Sequence, residues 1–291
     1  MSSGPILIGV IKKYLVPVLV LNISYVLTAL ISFKLLSLSG LSSKITVNYL
    51  AISSSISILI FYVFAMIGGA LLLYLLMLKK AIKLLKYYIF VTFITIITLL
   101  TLLELPLMLP LEATPSGAIS ELLLYLPALI VIIVMVYALS MHFFRKNRPY
   151  YFAIPSVYLC IMLASALILF PDALTLILIL IAISAYDIFA VFVGPLKQVT
   201  SQFNREKNDD PFNYLLIDFG YAGLGLGDVL FYNVFIAVVI RLLQNIFLLV
   251  PITFLNLGFM ITIYLLKYRR PLPALPIPLT LGLISLLILI R

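Results

Sequence analysis

Two aspartates of this chain lie inside long apolar stretches. Asp187 is surrounded by the small and apolar residues of 184–190, and Asp228 follows three alternate glycines in 223–228. A charged side chain in the middle of a bilayer costs about 2.5–3.5 kcal/mol even on a lenient insertion scale, so such residues are candidates for function. The other carboxylates are predicted at outer helix ends or in one polar loop: Glu104, Glu112, Glu121, Asp172, Glu206, Asp209, Asp210 and Asp218.

Two neighbouring carboxylates allow acid–base hydrolysis without a metal ion or a nucleophilic side chain. Because like charges close together do not both ionise easily, such a pair shares one proton. The ionised partner takes a proton from water, while the protonated partner polarises the scissile carbonyl. Asp228 is predicted near a helix N-terminus, where the macrodipole favours an anion, so we assign Asp228 as the base and Asp187 as the proton carrier.

Each aspartate alone also fits a purely structural role. Ser184, Asp187, Ala190 and Gly194 share one helical face, which is typical of a small-residue packing seam between membrane helices. The alternate glycines before Asp228 weaken a helix and are typical of a flexible helix start. Both aspartates are nevertheless predicted at similar depth in adjacent antiparallel helices, and this arrangement favours one shared site.

The composition requires lipid as the main solvent of the chain. Of its 291 residues, 65% are hydrophobic and 10% are charged, whereas an ordinary globular domain has about 45–50% apolar and about 25% charged residues. The single Cys160 excludes an intrachain disulfide, and the single His142 removes most zinc chemistry, which needs about three protein ligands. No metal ion or other cofactor is expected. The net charge of +9 lies at the ends of apolar runs, so it indicates membrane topology and not nucleic-acid binding.

Nine apolar runs are long enough to cross a bilayer, which takes about 20 helical residues. We therefore predict an all-α polytopic membrane protein of a single domain, residues 1–291, with helices 1–5 as a scaffold (1–170) and helices 6–9 as the catalytic part (171–291). The longest polar break is the loop 195–220. The predicted spans are 14–33, 48–78, 87–109, 121–141, 150–170, 173–194, 221–240, 243–266 and 273–290.

The distribution of basic residues predicts the orientation. Nine spans divide the loops and termini between the two sides of the membrane. Of the 19 lysines and arginines, all fall on one side except Lys34, Lys44, Arg241 and Arg291, which fall on the other. Because cytoplasmic loops carry the excess of Lys and Arg, the N-terminus and the loop 195–220 are predicted to be cytoplasmic and the C-terminus outside. Adding or dropping one span would destroy this asymmetry.

Two further segments near the aspartates are predicted to be irregular. Four prolines in 271–278 enforce an irregular, extended start to the ninth span, and proline is tolerated in the first helical turn because the amides there lack partners. The residues Tyr214 to Ile217 form either an extended segment or an early start of the seventh helix. A substrate helix has to unwind before its peptide bond is accessible, and we expect it to add as a β-strand at this extended segment.

Three short motifs resemble those of the presenilin and signal peptide peptidase family. They are the YD motif at Tyr186-Asp187, the GxGD motif at Gly225-Leu226-Gly227-Asp228 and the PAL motif at Pro273-Ala274-Leu275, in the family's order on the sixth, seventh and ninth predicted spans. The residues that follow Asp228, through Tyr232, are similar to those of presenilins, as is the segment 194–197. The cytoplasmic N-terminus also agrees with presenilins.

The resemblance implies an intramembrane aspartyl endopeptidase of the GxGD type that cleaves transmembrane segments or signal peptides. Asp187 and Asp228 would be the catalytic pair. The other motif residues would shape the site and bind substrate: Tyr186, Gly225, Leu226, Gly227, Pro273, Ala274 and Leu275. The chain lacks the long hydrophilic N-terminus of animal presenilins and has a short cytoplasmic loop. We therefore expect a microbial homologue in the cell membrane that contacts lipids and acts without obligatory partner subunits.

Other classes of function are weighed against this prediction. A zinc or rhomboid-type protease would depend on His142, which sits among basic boundary residues. The prepilin peptidase class also uses a GxGD aspartate, but the YD and PAL motifs argue against it. A proton- or ion-coupled transporter or leak channel could use the same two aspartates, and a catalytically idle assembly factor for membrane helices also stays open.

Overall fold

The computed structural model describes residues 4–39, 82–108, 118–145, 149–169, 172–192, 216–218, 223–243, 248–266 and 272–290. These ranges contain a series of helices and one pair of antiparallel strands. The helices are α1 (Gly4–Ser39), α2 (Ile82–Met108), α3 (Ala118–Ser140), α4 (Pro149–Leu167), α5 (Ala173–Phe192), α6 (Leu226–Leu243), α7 (Leu249–Leu266) and α8 (Pro276–Ile290). A π-helical turn, Met141–Arg145, continues α3, and the strands β1 (Leu216–Asp218) and β2 (Gly223–Gly225) precede α6.

The described helices make this an integral, multi-pass membrane protein. Six of them are long and apolar enough to cross a membrane, and α4 and α8 contribute shorter apolar helices. The predicted all-helical membrane architecture is therefore confirmed. The predicted second span, 48–78, lies outside the described residues, so the count of nine helices and the orientation stay predictions.

Helix α6 occupies the centre of the bundle. It contacts α1, α4, α5, α7 and α8, and every side chain from Tyr232 to Ile240 is buried. A helix that is apolar on all sides is buried by its neighbours, and this one carries Asp228 in its first turn. The buried core of the bundle therefore extends to Asp228, one of the two candidate catalytic aspartates.

A second apolar cluster joins α2, α3 and α4. Its aromatic members Phe93, Phe143 and Phe152 are almost completely buried, and the rings of Phe93 and Phe152 stack with centroids 5.7 Å apart. Helix α4 belongs to both clusters because it packs against α2 on one side and against α1 and α6 on another. It thus connects the N-terminal helices to the helix of Asp228.

The start of the predicted seventh span differs from the prediction. The span was predicted from residue 221, but residues 223–225 form strand β2 and the helix begins at Leu226. The strands pair with Ile217 opposite Leu224, which confirms the extended alternative for residues 216 and 217; residues 214 and 215 lie outside the described residues. Glycines at alternate positions suit a strand that another chain segment approaches closely. Here the backbone of residues 223–225 pairs with that of β1.

The proline-rich segment follows its prediction. Residues 272–275 are not helical, and α8 begins at Pro276 instead of residue 273. The carbonyl of Leu275 accepts the first helical hydrogen bond, from the amide of Leu279 at 3.1 Å. Pro276 is therefore the first helical residue, where a missing N–H has no consequence.

Candidate functional site

Asp187 is held by the backbone of the PAL segment. Its Oδ2 accepts a hydrogen bond from the amide of Leu275 at 3.1 Å. The first amides of a helix have no partner within that helix and are suited to bind an anion. The PAL segment thus contacts Asp187 of α5 directly.

Asp228 lies in the first turn of α6, close to β2. A Cβ atom added to Gly225 would lie 2.7 Å from Asp228 Oδ2 and 3.3 Å from its Cγ. The glycine at this position therefore makes room for the carboxyl group. The Asp228 carboxyl also lies within electrostatic range of the Asp187 carboxyl, so α5, α6 and the PAL segment meet at one place.

Tyr232 is part of this site, although the sequence did not mark it as a site residue. Its hydroxyl donates a hydrogen bond to the carbonyl oxygen of Ala274 at 2.8 Å, and both carboxyls lie within electrostatic range of it. It follows Asp228 by four positions and so lies on the same face of α6. That spacing, together with the presenilin-like residues from Asp228 through Tyr232, was the signal in the sequence that could have identified it.

The other predicted site residues have different surroundings. Tyr186 is half-buried beside Asp187, and Pro273 is buried. Leu226 packs against both apolar clusters, and its carbonyl oxygen lies 3.5 Å from the Cys160 thiol that donates to it. Gly227 is exposed, and a Cβ atom there would meet only the Phe231 ring, at 3.9 Å.

Polar contacts tie α1 to the helices around the site. Thr28 donates to Asn233 Oδ1 at 2.8 Å, and both side chains are fully buried. Asn233 in turn donates to the carbonyl of Val229, the residue after Asp228. A second contact with α1 is an amide pair, in which Asn256 of α7 donates to Asn22 Oδ1, also at 2.8 Å. These contacts fix α1 against α6 and α7.

One further carboxyl is buried outside this site. Glu104, predicted near an outer helix end, lies four residues before the end of α2 and is only 3% exposed. Within the part of the chain that the structure describes, its oxygens have no hydrogen-bond partner. In the same ranges, no group of three or more His, Cys, Asp or Glu side chains is arranged to hold a metal ion.

The arrangement of the helices is similar to a known structure. A crystal structure of a presenilin family intramembrane aspartate protease aligns with 94% of this chain and 98% of its own, at a TM-score of 0.55 and 14% identity. The chain has a presenilin-like fold. No protein-family model matches the sequence, and no curated protein sequence matches it. The presenilin-like fold thus confirms the architecture that the three short motifs predicted.

Proposed function

We propose that this chain is an intramembrane aspartyl protease of the GxGD type, with Asp187 and Asp228 as its catalytic pair. The observation that carries the proposal is that the Asp228 carboxyl lies within electrostatic range of the Asp187 carboxyl, beside the non-helical PAL segment, in a presenilin-like fold. Like charges at close range favour a shared proton. That protonation state supplies one base and one acid for hydrolysis.

The proposed reaction uses water as the nucleophile. The ionised Asp228 takes a proton from water as its oxygen adds to the scissile carbonyl carbon, while Asp187 gives its proton to the carbonyl oxygen. The tetrahedral intermediate then collapses: the C–N bond breaks, the amine leaves with the proton held by Asp228, and Asp187 recovers its own. Asp228 is assigned as the base because it lies in the first turn of α6, where the helix dipole favours an anion. The Leu275 amide donates to Asp187 and stabilises the negative charge that this carboxyl carries after it gives up its proton.

The proposed substrates are transmembrane segments of membrane proteins or signal peptides. A helical peptide bond has its carbonyl and amide paired within the helix, so the segment must unwind before water can attack it. Strands β1 and β2 lie immediately before Asp228. We propose that the unwound substrate adds to an edge of this strand pair, where backbone hydrogen bonds replace those lost from its helix.

The protein is proposed to act in the membrane of a microbial cell without obligatory partner subunits. The carboxyl pair, the strand pair and the PAL segment all come from this one chain. Surrounding lipids would contact the exposed apolar side chains of the outer helices, such as Ile133 of α3 and Leu287 of α8. Purified protein should therefore cleave substrate in the absence of any other subunit.

The test uses purified protein in liposomes and a panel of single-span substrates. Wild type should cut within the span, and Asp187→Asn and Asp228→Asn should each abolish cleavage while the helices stay folded. Glu104→Gln serves as the matched control, since it neutralises another buried carboxyl, on α2, a helix that carries no residue of the proposed site. Cleavage that survives either aspartate change would refute the dyad. Ion flux that needs both aspartates, with no cleavage, would support a transporter instead.

A further inference from the structure

A single peptide group is held at both of its polar atoms by the helices that carry the two aspartates. The carbonyl of Ala274 accepts the Tyr232 hydroxyl at 2.8 Å. The amide of Leu275, which belongs to the same peptide group, donates to Asp187 Oδ2 at 3.1 Å. The peptide plane between residues 274 and 275 therefore bridges α6 and α5.

The position of Tyr232 makes this bridge rigid. Its side chain is fully buried, and its ring meets the Phe259 ring of α7 edge-on, with centroids 6.4 Å apart. A buried tyrosine hydroxyl needs a hydrogen-bond partner, and among the described residues the Ala274 carbonyl supplies it. Because Tyr232 is one helical turn after Asp228, any movement of α6 is transmitted to the peptide group that holds Asp187.

We propose that Tyr232 is a positioning residue for the aspartate pair: by fixing the Ala274–Leu275 peptide group, it sets the placement of Asp187 relative to Asp228. This inference rests on the proposed protease function. Hydrogen bonds in a row polarise one another in a low-dielectric interior, so the hydroxyl also strengthens the Leu275 amide as a donor. Without the hydroxyl the carbonyl is unpaired, and the peptide group is free to rotate away from Asp187.

The decisive variant is Tyr232→Phe, which keeps the ring and its packing and removes only the hydroxyl. We expect kcat to fall about tenfold, because the transition state loses an aligned acid. KM should stay within about twofold, because the hydroxyl already donates its one hydrogen to the Ala274 carbonyl and has none left for a substrate. The pH–rate profile should also change, since Asp187 loses an oriented donor.

The matched control is Tyr158→Phe. It too deletes a tyrosine hydroxyl that makes one side-chain hydrogen bond, here with Thr101 at 2.9 Å, but between α4 and α2, two helices that carry neither aspartate. Both variants should lose similar thermal stability, whereas only Tyr232→Phe should lose kcat. This comparison separates positioning from a general loss of packing.

The outcomes distinguish this inference from the proposed function. Cleavage by Tyr232→Phe with wild-type kcat and pH profile would overturn the positioning role and leave the protease intact. A raised KM with unchanged kcat would also overturn it, because that result assigns Tyr232 to substrate binding. Wild-type protein that never cleaves, with intact folding and a broad substrate panel, would remove the proposed function and this inference with it.

Discussion

Gly258 of α7 lies so close to Pro278 of α8 that a Cβ atom on the glycine would be 2.4 Å from Pro278 Cα. The contacted atom belongs to the backbone, so no side-chain rotation relieves it. These two helices share the most extensive helix–helix contact in the described structure. Because α8 begins directly after Leu275, the glycine sets how closely α7 can support the segment that holds Asp187.

We therefore expect Gly258→Ala to move α8 and weaken cleavage. Overpacking of this kind costs about 1–3 kcal/mol of stability, and a displacement of the PAL segment of about 1 Å would lower kcat by up to about 100-fold. Thermal unfolding and cleavage kinetics measure the two effects. Ile261→Ala, a change on the exposed face of the same helix, should leave kcat unchanged. Wild-type kinetics for Gly258→Ala would show that α8 does not depend on this contact.

Gly225→Ala should impair the site by a different route. The new methyl group would lie 2.7 Å from Asp228 Oδ2, so the carboxyl must rotate away from its present position. We expect a loss of about 10- to 100-fold in kcat with little change in unfolding temperature.

The control for Gly225→Ala is Gly223→Ala in the same strand. A Cβ atom there meets only the Leu216 side chain, at the ordinary distance of 3.5 Å. It should therefore retain activity close to wild type. Equal losses in both variants would attribute the effect to the strand backbone and not to crowding of Asp228.

The buried bond between Thr28 and Asn233 gives a prediction about stability. Thr28→Val keeps the shape of the side chain and leaves Asn233 Oδ1 without its donor. Polar contacts between membrane helices contribute about 0.6 kcal/mol on average and up to about 1.7 kcal/mol. The free energy of unfolding in mixed micelles should fall by an amount in this range. Thr95→Val removes an exposed hydroxyl bonded within its own helix and should change it less.

Much of the site was predictable because its residues are costly in a membrane. Asp187 and Asp228 were identified as carboxylates within apolar runs, and the structure brings them into electrostatic range. Ala274 and Leu275 were identified by their motif: the Leu275 amide donates to Asp187, and the Ala274 carbonyl accepts the Tyr232 hydroxyl. Each of these residues was identified from its immediate neighbours in the sequence.

The remaining features depend on contacts between distant parts of the chain. Gly258 resembles any other glycine of a membrane helix until α8 is placed against it. Tyr232 has an apolar ring in an apolar helix, and its role follows from a carbonyl 42 positions away. Glu104 lies near the end of its run, yet it is buried in a helix that packs against both α3 and α4. Strand β2 was predicted as helix because its three residues continue directly into the apolar run of α6, and three residues are too few to establish a period.

The shared proton predicts a bell-shaped dependence of cleavage on pH. At low pH both carboxyls are protonated and no base is present, while at high pH both are ionised and no acid is present. On the acidic limb and on the basic limb of this profile, kcat/KM should change by about tenfold per pH unit. The measurement is kcat/KM from about pH 4 to 9, with Glu104→Gln as a control that should keep the wild-type profile. A profile independent of pH would contradict a proton shared by Asp187 and Asp228.

Substrate addition at the strand pair makes a prediction about Ile217, which is fully buried and pairs with Leu224. Ile217→Pro removes a backbone donor and disfavours pairing, so cleavage should be lost. Ile217→Ala serves as the control, because it removes most of the side chain, at a cost of about 2–5 kcal/mol, and keeps the amide. If both variants lose activity in proportion to the fall in their unfolding temperatures, the loss of activity is due to the missing side chain. Loss specific to proline would assign the effect to the backbone edge, as strand addition requires, and full activity in Ile217→Pro would refute it.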